Sequence, residues 1–229
     1  MKKAGFTLAE ILIATSVLGV IAVVAIPSFL SFEQDKDIVA RLEAARSVIA
    51  QATRMAESRI NTIQEWELTD MTNAEIFNYY YKPFLQIGKN CTGRSSTDCW
   101  ATTSAFNGRS ADGGGRYGIT GYADVAFTLA DGINVTITKT VTIDERFGIE
   151  SSLPTSLIFM VDVNGETGPN RIGKDVFAFA LTDIGILPAG IHNYSGNCIK
   201  NAELNDDYWD CCAKVLNEKK RTYIPKLFN

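Results

Sequence analysis

Hydrophobic and polar positions change pattern three times along the chain. From Ile11 to Phe32 there are 22 residues without a charge, and at 1.5 Å per helical residue such a run covers roughly 33 Å, enough for a bilayer core. Charges return at Glu33, Asp35, Lys36 and Asp37. The apolar positions that follow, Ile38, Leu42, Ala45, Ile49, Ala52 and Ala56, are spaced alternately four and three, which keeps one helical face apolar. The pattern predicts one helix from Phe6 to near Arg59, whose second half lays its stripe on a globular domain. A thin coiled-coil seam is the competing use of the repeated alanines. Gly19 and Pro27 fall inside the helix. Proline has no N–H to donate and clashes with the carbonyl four residues back, so a kink or local opening is expected near Val23.

Past Arg59 the helical period stops. Thr72 to Glu75 has the form of a capping box and predicts a short helix through about Tyr80, ended before Pro83. Trp66, Tyr79, Tyr80, Tyr81 and Phe84 form an aromatic group that either covers a core or lines a ligand site. Asp112 to Gly115 reads as an exposed turn. Alternation begins at Val125, Phe127 and Leu129, passes the hairpin signal Asp131-Gly132, and resumes at Ile133, Val135 and Ile137. Residues 157–163 and 176–181 give a second hairpin. The expected class is α+β, with one long helix against a four-stranded antiparallel sheet.

Composition narrows the chemistry. With 229 residues, 46% hydrophobic and 21% charged, the chain has material for one soluble domain besides its stem. A net charge of −4 and a pI near 5.1 give no overall basic footprint, which argues against nucleic acid as a specific partner. All five cysteines follow the uncharged run, as expected in an oxidising compartment. Cys91 and Cys99 flank a short polar loop suited to a disulfide. Cys198 can pair with Cys211 or with Cys212, and the spacing does not choose between them; the adjacent pair is poorly placed to bridge itself. With His192 as the only histidine and no C-x-x-C pair, zinc is disfavoured.

Asp162, Asn164, Glu166 and Asp175 place oxygens around a glycine turn, and D-x-N-G has the form of part of a calcium loop without its terminal Glu. Asx-turn chemistry also explains Asp162, Asn164 and Gly165. No metal and no cofactor is assigned. Neither a P-loop nor a nucleophile elbow is present, and His192 in Ile-His-Asn-Tyr has no local partner signature. The expectation is a protein that is not an enzyme.

The most informative charge lies at the start. Lys2 and Lys3 precede the uncharged run and no basic cluster directly follows it, which places the N-terminus in the cytoplasm and the bulk of the chain outside. Glu10 is costly in lipid and needs a cation, yet the nearest downstream one is Lys36. A new amino terminus at Phe6, one helical turn away, would supply it. A removed secretory signal is disfavoured, because Ile26-Pro27-Ser28-Phe29-Leu30 offers a poor small-residue cleavage site.

Gly5, Phe6, Thr7, Leu8 and Glu10 resemble the processing motif of type IV prepilins and pseudopilins, a glycine followed by F-T-L-x-E and an apolar helix. The resemblance implies cleavage between Gly5 and Phe6 by a membrane prepilin peptidase, N-methylation of Phe6, and filament assembly through Phe6 and Glu10. It implies opening of the stem between Gly19 and Pro27 in the fibre, and an exposed C-terminal loop with a disulfide from Cys198 to Cys211 or Cys212.

The corresponding division is a leader at 1–5, a transmembrane and filament-core helix at 6–32, the amphipathic half of the stem at 33–60 and a globular head at 61–229. Implied partners are further copies or other pilins in a mixed filament, the peptidase, and an inner-membrane assembly platform with its ATPase. The subunit would reside in the inner membrane before assembly and then in an extracytoplasmic filament, either a surface pilus or a periplasmic pseudopilus. The competing reading is a membrane-anchored extracytoplasmic domain that binds a ligand through its aromatic region and cysteine loop.

Overall fold

The structure, a computed structural model, describes residues 7–91, 99, 125–141, 143, 147–165, 167, 173, 175–192 and 211–218; within helix 8–59 the side chains of residues 24 and 27–35 are outside that set. Helix α1 spans Leu8–Arg59, 52 residues, about 78 Å at the standard rise. Its backbone is helical through both Gly19 and Pro27. A proline removes a single ladder bond, and the intact turns on either side carry the helix past it.

In its second half α1 buries Val39, Leu42, Ala45, Ile49, Ala52 and Ala56, while Ile38 is half-buried. The three alanines matter for their size, since a methyl group lets the helix backbone come close to the sheet. Thr53 lies on the same face. Its hydroxyl donates to the Ile49 carbonyl at 2.9 Å and meets the Tyr81 hydroxyl at 3.3 Å, so both buried polar groups find partners.

Among the described residues, six antiparallel strands follow in a meander: β1 Ile87–Asn90, β2 Ala126–Leu129, β3 Asn134–Thr140, β4 Ser156–Asp162, β5 Val176–Thr182 and β6 Gly185–Pro188. The four central strands are those the alternation predicts, and the expectation of four is corrected by one short strand on each edge. β1 contains Gly88 and a register irregularity between Ile87 and Lys89, so it carries no period-two signal. β6 is four residues long and ends in Pro188, which only an edge strand tolerates. Pairing to a neighbour, rather than local pattern, makes both of them strands. At the sheet centre Ile137 faces Phe159, and Phe159 faces Phe179. Every residue of β4 and β5 is buried, so both faces of these strands are covered.

Thr72 caps α2, Asn73–Ile76, and Glu75 completes the capping box with 2.8 Å bonds from the Thr72 N–H and hydroxyl. The chain then widens into a π turn over Phe77–Tyr81 and tightens over Lys82–Phe84. These turns aim the aromatic group inward. Trp66 stacks on Tyr80 at 4.3 Å, Phe77 stacks on Phe127 at 4.8 Å, and Tyr81 meets Phe159 edge-on at 5.2 Å. Tyr79 alone of the three tyrosines is exposed. The group is therefore a core cover joining the stem to the sheet. α3, Cys211–Glu218, packs on α1 and β5, and the Ala213 N–H reaches the Ala189 carbonyl at 2.8 Å.

The alanine seam yields a paired prediction. Ala45 is fully buried and its neighbour Ala44 is exposed. Ala45→Leu should destabilise the head by about 1–3 kcal/mol through overpacking, whereas Ala44→Leu should stay within about 0.5 kcal/mol of the parent. Urea unfolding of the full chain in detergent, followed by tryptophan fluorescence, measures both.

Candidate functional site: the N-terminal turn and the apolar stem

The described chain begins with a tightly organised turn. Thr7 is the N-cap of α1 in an extended conformation, and the Glu10 N–H donates to its hydroxyl at 3.3 Å. In return Glu10 Oε2 accepts both the Thr7 N–H and the Thr7 hydroxyl at 2.8 Å. This is a capping box, in which two otherwise unpaired helix-end groups satisfy each other. Both bonds fall on one carboxylate oxygen, and among the described residues Oε1 has no partner. The turn thus orients the Glu10 carboxylate toward the N-terminal end of the stem with one oxygen available to a cation. Gly5 and Phe6, the residues flanking the expected scissile bond, lie outside the described residues.

Beyond this turn the described side chains up to Ile26 are largely exposed. Leu8, Ile11, Leu12, Leu18, Val20 and Val23 are all more than half exposed, and a side chain at Gly19 would meet nothing within 4 Å. Thr15 and Ser16 turn their hydroxyls back onto carbonyls one turn earlier, at 2.9–3.1 Å, which leaves these polar groups satisfied without water. Among the described residues no helix is long and apolar enough to cross a membrane. The uncharged run extends through residues whose side chains are outside that set.

Residues 1–26 match the family model described as the prokaryotic N-terminal methylation motif. The chain carries the type IV pilin and pseudopilin signature. The match covers the capping turn and the exposed apolar part of the stem, and the head lies outside it. No curated protein and no solved structure matches the chain.

The remaining candidates are distributed over the head. Cys91 and Cys99 form a disulfide with a Cα–Cα distance of 6.1 Å. It is seated on the sheet: Asn134 donates its side-chain amide to the Cys99 carbonyl, and the Thr128 hydroxyl donates to Asn134 Oδ1 at 2.6 Å. Cys212 is a free, buried thiol, held in its neutral form by burial. That removes Cys212 from the two partners available to Cys198; Cys198 itself and the Cys211 side chain lie outside the described residues. His192 is exposed and Nδ1 accepts the Glu150 N–H at 3.2 Å, a loop-bracing role.

Two features were not read from the sequence. One is a cavity of about 650 Å³ between α1 and β6, bordered by Glu43, Arg46, Arg54, Glu57, Asp183 and Leu187; it exists only because β6 closes the sheet beside the stem. The other is the burial of Asp162 and Asp175, both at most 1% exposed. Their spacing was visible, but a polar turn normally faces water.

The cysteine arrangement predicts a specific labelling pattern. Native full-length protein treated with an alkylating reagent should leave Cys212 unmodified, and the same reagent after denaturation should modify it without prior reduction. Peptide mapping should recover the Cys91–Cys99 bridge intact.

Proposed function

We propose that this chain is a structural subunit of a type IV pilus or of a type II secretion-like pseudopilus. The observation that carries the reading is the long apolar stem with exposed sides, joined directly to the matched motif. Such a surface requires either lipid or other stems around it. The head at residues 61–229 is held apart from it by the amphipathic half, 33–60, while residues 6–32 serve first as a membrane anchor and later as filament core.

The mechanism follows from the charges. The uncharged run inserts with Lys2 and Lys3 on the cytoplasmic side, and the prepilin peptidase removes residues 1–5 and methylates Phe6. The exposed Phe6 amine of one subunit then meets the Glu10 carboxylate of a neighbour as an assembly ATPase, acting through the inner-membrane platform, moves the stem into the fibre. In lipid an isolated charge costs about 2.5–3.5 kcal/mol on insertion scales, so the amine–carboxylate pair favours one stagger of neighbouring stems over others. Thr7 keeps the carboxylate oriented before the partner arrives. Within the fibre, Gly19 and Pro27 are the points where the stem yields. In the head, Cys198 pairs with Cys211, since Cys212 is free.

The second reading, an anchored extracytoplasmic ligand-binding domain, draws on the cavity between α1 and β6. Burial of Trp66, Tyr80 and Tyr81 removes most of the aromatic surface that it would otherwise use.

Intact mass and N-terminal sequencing of protein from membranes and from sheared surface material of the native host test the proposal. A chain starting at methylated Phe6 in the sheared fraction is expected for a surface pilus, and a processed chain confined to membranes for a short pseudopilus. An unprocessed Met1 chain in a host with active peptidase would overturn the filament reading. Glu10→Ala should reduce filament recovery at least tenfold while the detergent-solubilised head keeps its thermal midpoint; unchanged filament yield would remove Glu10 from assembly.

A further inference from the structure

The cavity between α1 and β6 has one wall that ends in backbone groups the sheet does not use. β6 is an edge strand, and its strand neighbour among the described residues is β5. The Ala189 N–H reaches the Ala178 carbonyl at 3.0 Å, and the register continues with Leu187 opposite Ala180 and Gly185 opposite Thr182. Hydrogen-bonded pairs alternate along an antiparallel ladder. Gly185 and Leu187 therefore turn their backbone groups to β5, while the Ile186 N–H and carbonyl and the Pro188 carbonyl point away from the sheet. Such a row is a template for one more strand.

This wall is held in place before anything binds. The Thr182 hydroxyl donates to the Gly185 carbonyl at 2.8 Å, Asp183 Oδ1 accepts the Ser152 N–H at 3.3 Å, and Gln64 Nε2 donates to the Asp183 carbonyl at 2.8 Å. The Gln64 contact puts the start of β6 near the end of α1. At the other end the Ala213 N–H meets the Ala189 carbonyl, and the charge of Arg46 reaches the adjoining Cys212, so β6 runs alongside α1 in the opposite direction.

Across the groove α1 presents charge in the order Glu43, Arg46, Arg54, Glu57, with the small Ser47 and Ala50 between the arginines. Among the described residues neither Arg46 nor Arg54 has a hydrogen-bond or ion-pair partner. The acids are engaged: Glu57 accepts the Ile63 N–H at 3.3 Å, Asp183 is held by Ser152, and Glu43 has an interaction of its own. The open charge of the groove is positive and lies in its middle.

The two arginines are eight residues apart, about 12 Å along the helix axis, a distance that four residues of an extended strand span at about 3.3 Å each. Residues four apart on a strand also face the same way. We propose that the groove binds an extended acidic segment of a partner protein, which adds a strand to the free edge of β6 and sets two carboxylate side chains, four residues apart, on Arg46 and Arg54. At about 650 Å³ the space is of ligand-pocket size. Arginine grips a carboxylate through two parallel N–H bonds. Glu43, Glu57 and Asp183, toward the ends of the groove, repel acids placed elsewhere and so fix the register. Strand pairing supplies affinity, and the arginines supply selection.

The inference names a ligand for the cavity on which the anchored-domain reading draws. It does not rest on filament assembly, because binding is read on the single chain, and its failure leaves the processing test untouched. The probe is a fluorescein-labelled nine-residue peptide of alternating threonine and valine with glutamates at its third and seventh positions, titrated into the full-length chain in detergent and followed by anisotropy. Saturable binding is expected, with amide exchange at Ile186 slowed roughly tenfold or more because that N–H gains a partner. Arg46→Gln and Arg54→Gln should each weaken binding roughly fivefold or more, with the thermal midpoint unchanged since both side chains are exposed. A peptide with glutamates at the third and sixth positions, which face opposite ways, should bind as weakly as one with glutamines in place of both. No saturation up to about 1 mM peptide, equal binding of the three peptides, or binding without protection at Ile186 would overturn the proposal. Protection at Ile186 that grows with protein concentration before peptide is added would overturn it in favour of a second copy in the groove.

Discussion

The contact on which the head depends is the seam between the second half of α1 and the antiparallel sheet. Leu42 and Ile49 supply apolar area there, while Ala45, Ala52 and Ala56 set the distance of approach. Close approach brings Thr53 within reach of Tyr81, and Tyr81 in turn meets Phe159 on β4. Core side chains are packed nearly as densely as organic crystals, so this seam ties the direction of the stem to the plane of the sheet. A stem fixed in this way transmits its position to the head without a flexible joint between them.

The same helix faces two environments. Up to Ile26 the described apolar side chains are largely exposed, and from Val39 onward the apolar positions are confined to one buried face. The first half therefore needs a partner outside the protomer, whereas the second half has one inside it. The capping turn at Thr7 and Glu10 closes the exposed end. Its geometry leaves one carboxylate oxygen facing outward, which relates a local helix-end device to contact between subunits. Where the stem enters the head, Arg41 links it to the β4–β5 turn through the Val163 carbonyl.

Much of the architecture was legible because its signals are local. The four–three spacing from Leu42 to Ala56 identifies the buried face, with Val39 taking the place expected of Ile38. The Thr72 and Glu75 pair correctly marks a helix start, and Asp131-Gly132 correctly marks a hairpin, with Gly132 at φ +86°. The edge strands were illegible for a different reason. Ile87–Asn90 and Gly185–Pro188 become strands through hydrogen bonds to β2 and β5, and four residues hold too few positions to show a period.

What the sequence determined by itself was the kind of surface each segment needs: an uncharged stem, a one-faced helix, alternating strands, and a carboxylate at Glu10 in search of a cation. These depend on side-chain spacing along the chain, which folding does not alter. Only the tertiary structure decided that the aromatic group is core, that Cys212 is a sealed thiol, and that Asp162 and Asp175 are buried together. Each of those depends on which distant residue comes alongside. The polarity of Asp162 is written in its side chain, but the sealing of its Oδ2 without a hydrogen-bond partner among the described residues is a property of the space around it.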